Sequence, residues 1–360
     1  MTRIPPDAYR GRRVFLTGHT GFKGSWLALW LWRLGAEVCG YALPPEQAEG
    51  VYVKAGVSGL LAKEWLADIR DHKTLAGAME ECQPEFVFHL AAQPIVRISY
   101  ANPKETFDVN AGGTVNILEC VRGLASVRGV VCVTSDKCYR NKEWIWGYRE
   151  NDELGGSDPY SASKACAELI FQSYAASFFS GPSTPGVASA RAGNVIGGGD
   201  WSPSRIVPDC IRSLRDRQPL TLRNPQSTRP WQHVLEPLSG YMRLMLALEE
   251  DARRFSGSWN FGPDAHAGYS VAMLASRIIE HWGEGEMRIA PEINAPHEAG
   301  LLHLNIDKAR FELGWRPRWD FAATAAHTVE WYKRVHGGEP ARDVTMEQIT
   351  RYEEAAESRI

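Results

Sequence analysis

From Arg13 to Ala192 the chain alternates short β-branched, apolar runs with longer stretches whose apolar residues return at helical spacing. The first kind suits buried parallel strands and the second amphipathic helices, so the rhythm is that of an open parallel sheet covered on both faces. Strands are predicted at residues 14–16, 37–41, 65–67, 86–90, 130–134 and 186–190. Helices are predicted at 22–34, 72–82, 106–123 and 159–179, the first ended by Gly35 and carrying Trp26 and Trp30 on one core-facing side.

Beyond Asn194 the rhythm breaks into Pro-rich loops and short mixed elements, with an amphipathic stretch at 238–252. The fold class this predicts is α/β: a Rossmann-type doubly wound parallel sheet with a smaller mixed α/β lobe. Residues 1–192 form the dinucleotide-binding domain in this reading. Residues 193–360 form mainly a substrate lobe over the strand ends, where ligands of open α/β sheets sit, with chain exchange back to the sheet.

Composition narrows the partners. The 360 residues are long enough for a large and a small domain, and 40 basic against 43 acidic residues leave a formal charge of -3. No global basic field exists for nucleic acid or a membrane surface, so the substrate is expected to be small. The seven cysteines include no CxxC pair and sit mostly in apolar runs, as reduced core thiols do. No metal ligands are assigned. No apolar run approaches the roughly 20 residues of a membrane helix, and the first residues lack a secretory pattern; a cytoplasmic enzyme is expected.

Candidate chemistry begins directly after the first strand, at Thr17-Gly18-His19-Thr20-Gly21-Phe22-Lys23-Gly24. Missing side chains at Gly18 and Gly21 let backbone amides approach a pyrophosphate at a helix N-terminus, and Gly24 permits close helix packing. Tyr160-Ser161-Ala162-Ser163-Lys164 places a phenol and an ammonium on one helix face after Pro159, where the cation favours the phenolate. Tyr100 and Lys104 have the same spacing, but Pro103 argues against a mid-helix setting for them. The fifth strand ends in Thr134-Ser135-Asp136-Lys137, which sets a hydroxyl, a carboxyl and an amine at the sheet edge.

These segments, with Arg191-Ala192-Gly193-Asn194, Thr228-Arg229-Pro230-Trp231-Gln232-His233-Val234, Pro296-His297-Glu298-Ala299, Asp307-Lys308-Ala309-Arg310 and Leu313-Gly314-Trp315-Arg316-Pro317, resemble the nucleotide-sugar 4,6-dehydratases of the extended short-chain dehydrogenase/reductase superfamily. Asp136-Lys137 after Ser135 is the pattern of the CDP-glucose branch. The resemblance implies a tightly bound NAD, recycled in each turnover, held by Gly18, Thr20, Gly21, Phe22, Gly24, Asp68, Ile69, Leu90, Ala91, Ala92, Gln93, Thr134, Tyr160 and Lys164. It implies a catalytic set of Ser135, Asp136, Lys137, Tyr160 and Lys164, and a nucleotide-sugar held by Ser135, Asn194, Arg205, Arg229 and His233. The acidic residue expected at the end of the second strand is missing, with Ala42 in its place, yet no arginine stands there for a 2′-phosphate, which favours NAD over NADP.

The implied reaction is oxidation at carbon 4, elimination of water across carbons 5 and 6, and reduction at carbon 6. Lys137 stands where the base is expected. A free lysine has a pKa of about 10.4, so Lys137 must be depressed by its surroundings or act electrostatically. Alternatives within enzymes are a dehydratase for another nucleotide-sugar or an epimerase; outside them, a cofactor-sensing regulatory module. A homodimer or higher homo-oligomer is implied through a four-helix bundle of the helices at 106–123 and 159–179. Ala111, Val115, Leu118, Ala165, Leu169 and Ala176 are either its seam or the face against the sheet.

Overall fold

The computed structural model describes residues 4–264, 268–290 and 301–355, so Pro296-His297-Glu298-Ala299 lies outside the described residues. A seven-stranded parallel sheet forms its centre. The first six strands are β1 (Arg13–Thr17), β2 (Glu37–Ala42), β3 (Lys63–Leu66), β4 (Phe86–His89), β5 (Gly129–Val133) and β6 (Gly186–Ala192). Four short strands follow, β7 (Val195–Ile196), β8 (Leu220–Leu222), β9 (Thr228–Arg229) and β10 (Gln232–His233), before β11 (Gly257–Phe261) rejoins the sheet.

The order β11-β6-β5-β4-β1-β2-β3 puts the turning point of the winding between β1 and β4, where Val14 pairs with Phe86 and Thr17 with His89. A crevice opens there because the connections leave β1 and β4 toward opposite sides. Every residue of β5 and β6 is buried, which is why β5 reads as a continuous apolar run, while β6 also carries the buried Ser189 and Arg191.

The helices in chain order are α1 (Phe22–Arg33), α2 (Val51–Lys54), α3 (His72–Cys82), α4 (Val96–Ala101), α5 (Pro103–Phe107), α6 (Gly113–Arg122), α7 (Pro159–Phe178), α8 (Ile206–Arg215), α9 (Leu235–Glu250), α10 (Ala252–Phe255), α11 (Val271–Trp282), α12 (Asp307–Phe311), α13 (Phe321–His336) and α14 (Ala341–Glu354). The single helix predicted at 106–123 runs without interruption from Pro103 to Arg122 but is not α-helical throughout. A π-helical turn, Asp108–Gly112, separates α5 from α6 and sets Asn110 where its side chain bonds both Gln93 and Ser163. The stretch predicted at 238–252 starts earlier, as α9, and lies against β5 and β6 with Leu238, Tyr241, Met242, Met245 and Leu248 buried. A segment expected in the lobe therefore covers the sheet.

Trp26 and Trp30 are core residues, and each indole N–H also finds a distant acceptor. Trp26 donates to the Gly198 carbonyl at 2.9 Å and Trp30 to Glu353 of α14 at 2.8 Å. The two bonds tie α1 to the loop after β7 and to the C-terminal helix. Tyr332 of α13 donates to the Asp200 carbonyl at 2.6 Å and holds the far end of that loop. No helix among the described residues is long and apolar enough to cross a membrane.

Candidate active site

A cavity of about 560 Å³ occupies the crevice at the carboxyl ends of the strands. Its floor is the loop between β1 and α1. Gly18 has φ +76, and a Cβ there would lie 2.7 Å from the Ala91 amide nitrogen, so only glycine fits against the end of β4. Gly24 is tighter still, since its added Cβ would meet the Gly18 carbonyl oxygen at 2.1 Å. Gly24→Ala is expected to shift this loop and cost about 1–3 kcal/mol of stability, visible as a lowered unfolding midpoint. An unchanged midpoint would mean that α1 can move off the loop freely.

The neighbouring strand ends are fixed by hydroxyls. Thr17 Oγ1 accepts from the Leu90 and Ala91 amides, both at 3.1 Å, and lies 2.8 Å from His89 Nδ1. Burial drives His89 down to about 3, so its ring is neutral and Nδ1 can accept the Thr17 proton. Thr20 donates to the Leu43 carbonyl at 2.9 Å, joining the loop to the end of β2. Beneath the loop, the buried His19 meets Glu64 of β3 at 2.8 Å.

Gly18, Thr20, Gly21, Phe22, Gly24, Asp68, Ile69, Leu90, Ala91, Ala92 and Thr134 all line the cavity. Arg70 binds Asp68 and holds its carboxyl below the ordinary range. Gln93 does not line the cavity. Its side chain donates to Thr106 at 2.9 Å and accepts the Ile95 amide at 2.6 Å, which makes it a latch between the loop after β4 and α5.

Ser135, Asp136, Lys137, Tyr160 and Lys164 meet on the opposite wall. Asp136–Cys138 is a single 3-10 turn capped by Ser135, whose Oγ accepts the Lys137 amide at 3.2 Å and donates to Asp136 Oδ1 at 2.9 Å. The other carboxylate oxygen, Oδ2, is buried without a hydrogen-bond partner. Burial raises the Asp136 pKa, against the pull of Lys137, its Ser135 bond, Arg229 and Lys23. The Lys137 amine lies 5.8 Å from the centre of the Tyr160 ring.

Tyr160 and Lys164 sit in the first turns of α7, which starts at an Asp158 N-cap with Pro159 in its first position. Burial pushes Tyr160 up to about 12, opposed by a hydrogen bond from Ser135 and the charge of Arg205. The same burial draws Lys164 down to about 8. The phenol is thus not brought toward neutrality by the lysine in the protein alone. Tyr100 and Lys104, the look-alike pair, are on separate short helices, with Tyr100 exposed and Lys104 bound to Asp108 at 2.5 Å.

From the lobe, Asn194, Arg205 and Arg229 reach the cavity, and Arg205 is held by Asp200 at 2.9 Å. His233 does not reach it. β10 pairs with β7 in a register that turns His233 into the core, where it is fully buried against Trp26 and Trp319. Among the described residues no group of three or more His, Cys, Asp or Glu side chains could hold a metal ion.

A family model described as GDP-mannose 4,6 dehydratase matches residues 15–328. The chain belongs to the GDP-mannose 4,6-dehydratase family. Among its relatives, the CDP-glucose 4,6-dehydratase of Salmonella typhimurium is 45% identical over 353 residues, covering 97% of this chain and 98% of that one. The dTDP-glucose 4,6-dehydratase of Streptomyces venezuelae, solved with NAD and TYD bound, superposes with a TM-score of 0.74 at 25% identity over 91% of this chain and 99% of the other. An epimerase of Methanothermobacter thermautotrophicus shares the fold, with a TM-score of 0.78 at 24% identity over 94% of this chain and 96% of its own.

In this member of the dehydratase family three cavity cations, Lys23, Arg97 and Arg223, are absent from the set predicted from the sequence, and Lys23 lies nearest the catalytic residues. Lys23, inside the glycine segment, faces Arg205, Asp136 and Lys164, and its pKa is drawn down to about 7, first by burial and then by Arg205. Its position in the quoted segment was the available signal. What spacing alone does not reveal is that α1 turns this side chain toward the catalytic wall.

Proposed function

We propose that this chain is an NAD-dependent CDP-glucose 4,6-dehydratase, forming CDP-4-dehydro-6-deoxy-D-glucose and water for deoxysugar synthesis. The observation that carries the reading is the Ser135-Asp136-Lys137 turn facing Tyr160 in one cavity. An epimerase needs the hydroxyl, phenol and lysine; an acid and an amine beside them suit elimination. The 45% identity to the Salmonella protein of that name supports the choice of nucleotide-sugar.

The cavity suits a dinucleotide. The N-terminus of α1 has no side-chain cap, so its first amides are available to a pyrophosphate. Loop 42–47 brings Glu46 and Gln47 to the cavity and contains no lysine or arginine, which favours a free ribose diol over a phosphate. The chemistry that the nicotinamide supplies when bound is to take a hydride from carbon 4 and give it back at carbon 6.

Tyr160 accepts the proton of the sugar 4-hydroxyl, with Ser135 orienting that hydroxyl and Lys164 stabilising the phenolate. The carbon 4 ketone then acidifies the carbon 5 hydrogen. Lys137 takes this proton, and Asp136, whose pKa burial raises, gives its own to the departing 6-hydroxyl, which leaves as water; the proton on Lys137 returns to carbon 5 as carbon 6 is reduced. The test is incubation with NAD and each nucleoside-diphosphate glucose, without added reductant, followed by mass measurement. Loss of one water with a new carbonyl from CDP-glucose is expected. An isomer of unchanged mass would make the chain an epimerase, and no conversion of any sugar would favour a cofactor-sensing module.

The same reading includes a homodimer built on the outer faces of α5 to α7. Leu118 and Ala165 pack into the core, whereas Leu169, Ala176 and Phe178 stay exposed on α7 and Ala111 and Val115 are half-buried. Sedimentation at micromolar concentration is expected to show a dimer, and Leu169→Asp a shift toward monomer at unchanged helix content. A monomeric unmodified protein would end the proposal.

A further inference from the structure

Below the catalytic turn lies a charge pair with no access to solvent. Glu168 stands one helical turn beyond Lys164 on α7 and Arg191 stands in β6; both side chains are fully buried and meet at 2.5 Å. Burying two charges costs several kcal/mol of hydration per ion, so such a pair persists only where its remaining hydrogen-bonding positions are filled. Here all but the Arg191 Nε, which is buried without a partner, are filled by groups from around the active site.

Glu168 Oε1 accepts the hydroxyl of Thr134, while Oε2 accepts Ser189 at 2.9 Å and Ser258 at 3.2 Å. Arg191 Nη1 donates to the Tyr139 hydroxyl at 2.7 Å and the Glu150 carbonyl at 2.9 Å, and Nη2 donates to Ser258 at 2.9 Å. Tyr139 passes the chain on to Asn260 at 2.8 Å. Thr134 and Tyr139 flank the Ser135–Cys138 segment in sequence. The carboxylate thus grips one end of the catalytic turn and the guanidinium the other, and the carboxylate belongs to the helix that carries Tyr160 and Lys164.

We infer that the Glu168–Arg191 pair is a positioning device that registers Asp136 and Lys137 against Tyr160, and that it serves elimination more than oxidation. The inference rests on the dehydratase reading above. Tyr160 and Lys164 are fixed by α7 itself, and the Thr134 amide is anchored on the Ala190 carbonyl at 2.9 Å. Asp136 and Lys137 ride on one 3-10 turn whose downstream end is held by the Tyr139 hydroxyl together with backbone pairing to residues 153–155. Releasing that end moves the acid and the amine while leaving the oxidation machinery in place.

Tyr139→Phe removes the hydroxyl alone and keeps the ring packed on Tyr148. Displacing a catalytic group by about 1 Å can cost roughly 100-fold, so kcat for dehydration is expected to fall by about 10- to 100-fold with KM little changed. In a single turnover with CDP-glucose, carbon 4 oxidation should proceed at the unmodified rate. Reduced nicotinamide should then accumulate while carbon 5 exchange with deuterated solvent slows. Ser258→Ala, which removes a hydroxyl shared by Glu168 and Arg191 outside the cavity, should repeat this pattern, and Ser258→Thr, which restores a hydroxyl, should rescue it. Unmodified kcat in both Tyr139→Phe and Ser258→Ala would overturn the inference, as would equal loss of oxidation and elimination, the mark of general structural damage. If the unmodified protein itself releases no water from CDP-glucose, the dehydratase reading falls and the inference with it.

Discussion

Tyr160→Phe is expected to abolish turnover, lowering kcat by about 10²- to 10⁴-fold, the range a positioned acid or base contributes. The variant keeps the ring, which is buried in the first turn of α7, and deletes only the oxygen that takes the 4-hydroxyl proton. No other phenol among the described residues lines the cavity wall beside Ser135, Tyr41 being at the opposite end near Asp68. Cofactor affinity should change little, because the glycine loop and the start of α1 are untouched. Titration with NAD, followed by ligand-induced change in fluorescence, checks this half. Wild-type turnover by the variant would remove Tyr160 from its role, and loss of NAD binding would show that the hydroxyl serves the cofactor first.

Lys137→Met should separate the two halves of the reaction. The replacement keeps an aliphatic stem beside the Tyr160 ring and deletes the amine that takes the carbon 5 proton or steadies the enolate. Oxidation at carbon 4 draws on Tyr160, Lys164 and Ser135, so it should survive. Elimination should slow by at least about 100-fold, the lower end of a general base's contribution. Reduced nicotinamide would then build up after CDP-glucose is added, seen by its near-ultraviolet absorbance, and carbon 5 exchange would fall. Ordinary dehydration by this variant would leave Asp136 or a water to carry both proton transfers.

Much of this site was legible because its signals are local. The glycine segment carries its own geometric demand, and α7 announces itself through Pro159 at its first position. What the sequence did not disclose depends on distant partners. His233 looks like a ligand in its segment, yet the pairing of β10 with β7 decides which way it faces. The π-helical turn between α5 and α6 is where Asn110 satisfies Gln93 and Ser163, and the Glu168–Arg191 pair joins residues whose closeness exists only after β6 pairs with β5. Lys23 was in plain view, but its pKa is depressed by burial in the folded cavity and then by Arg205, far along the chain.

The position of β11 bears on how the protein is made. Its partner β6 is complete at Ala192, but Gly257–Phe261 is translated only after β7 to β10, α8, α9 and α10. Through that interval a nascent chain holds a row of unpaired amides and carbonyls along an apolar strand, a template for pairing with another chain. A ribosome that stalls before residue 257, or a fragment cut at residue 192, would leave this edge open. Synthesis as far as Phe261 is therefore what pairs this edge of β6 and passes the outer position to the later-made β11.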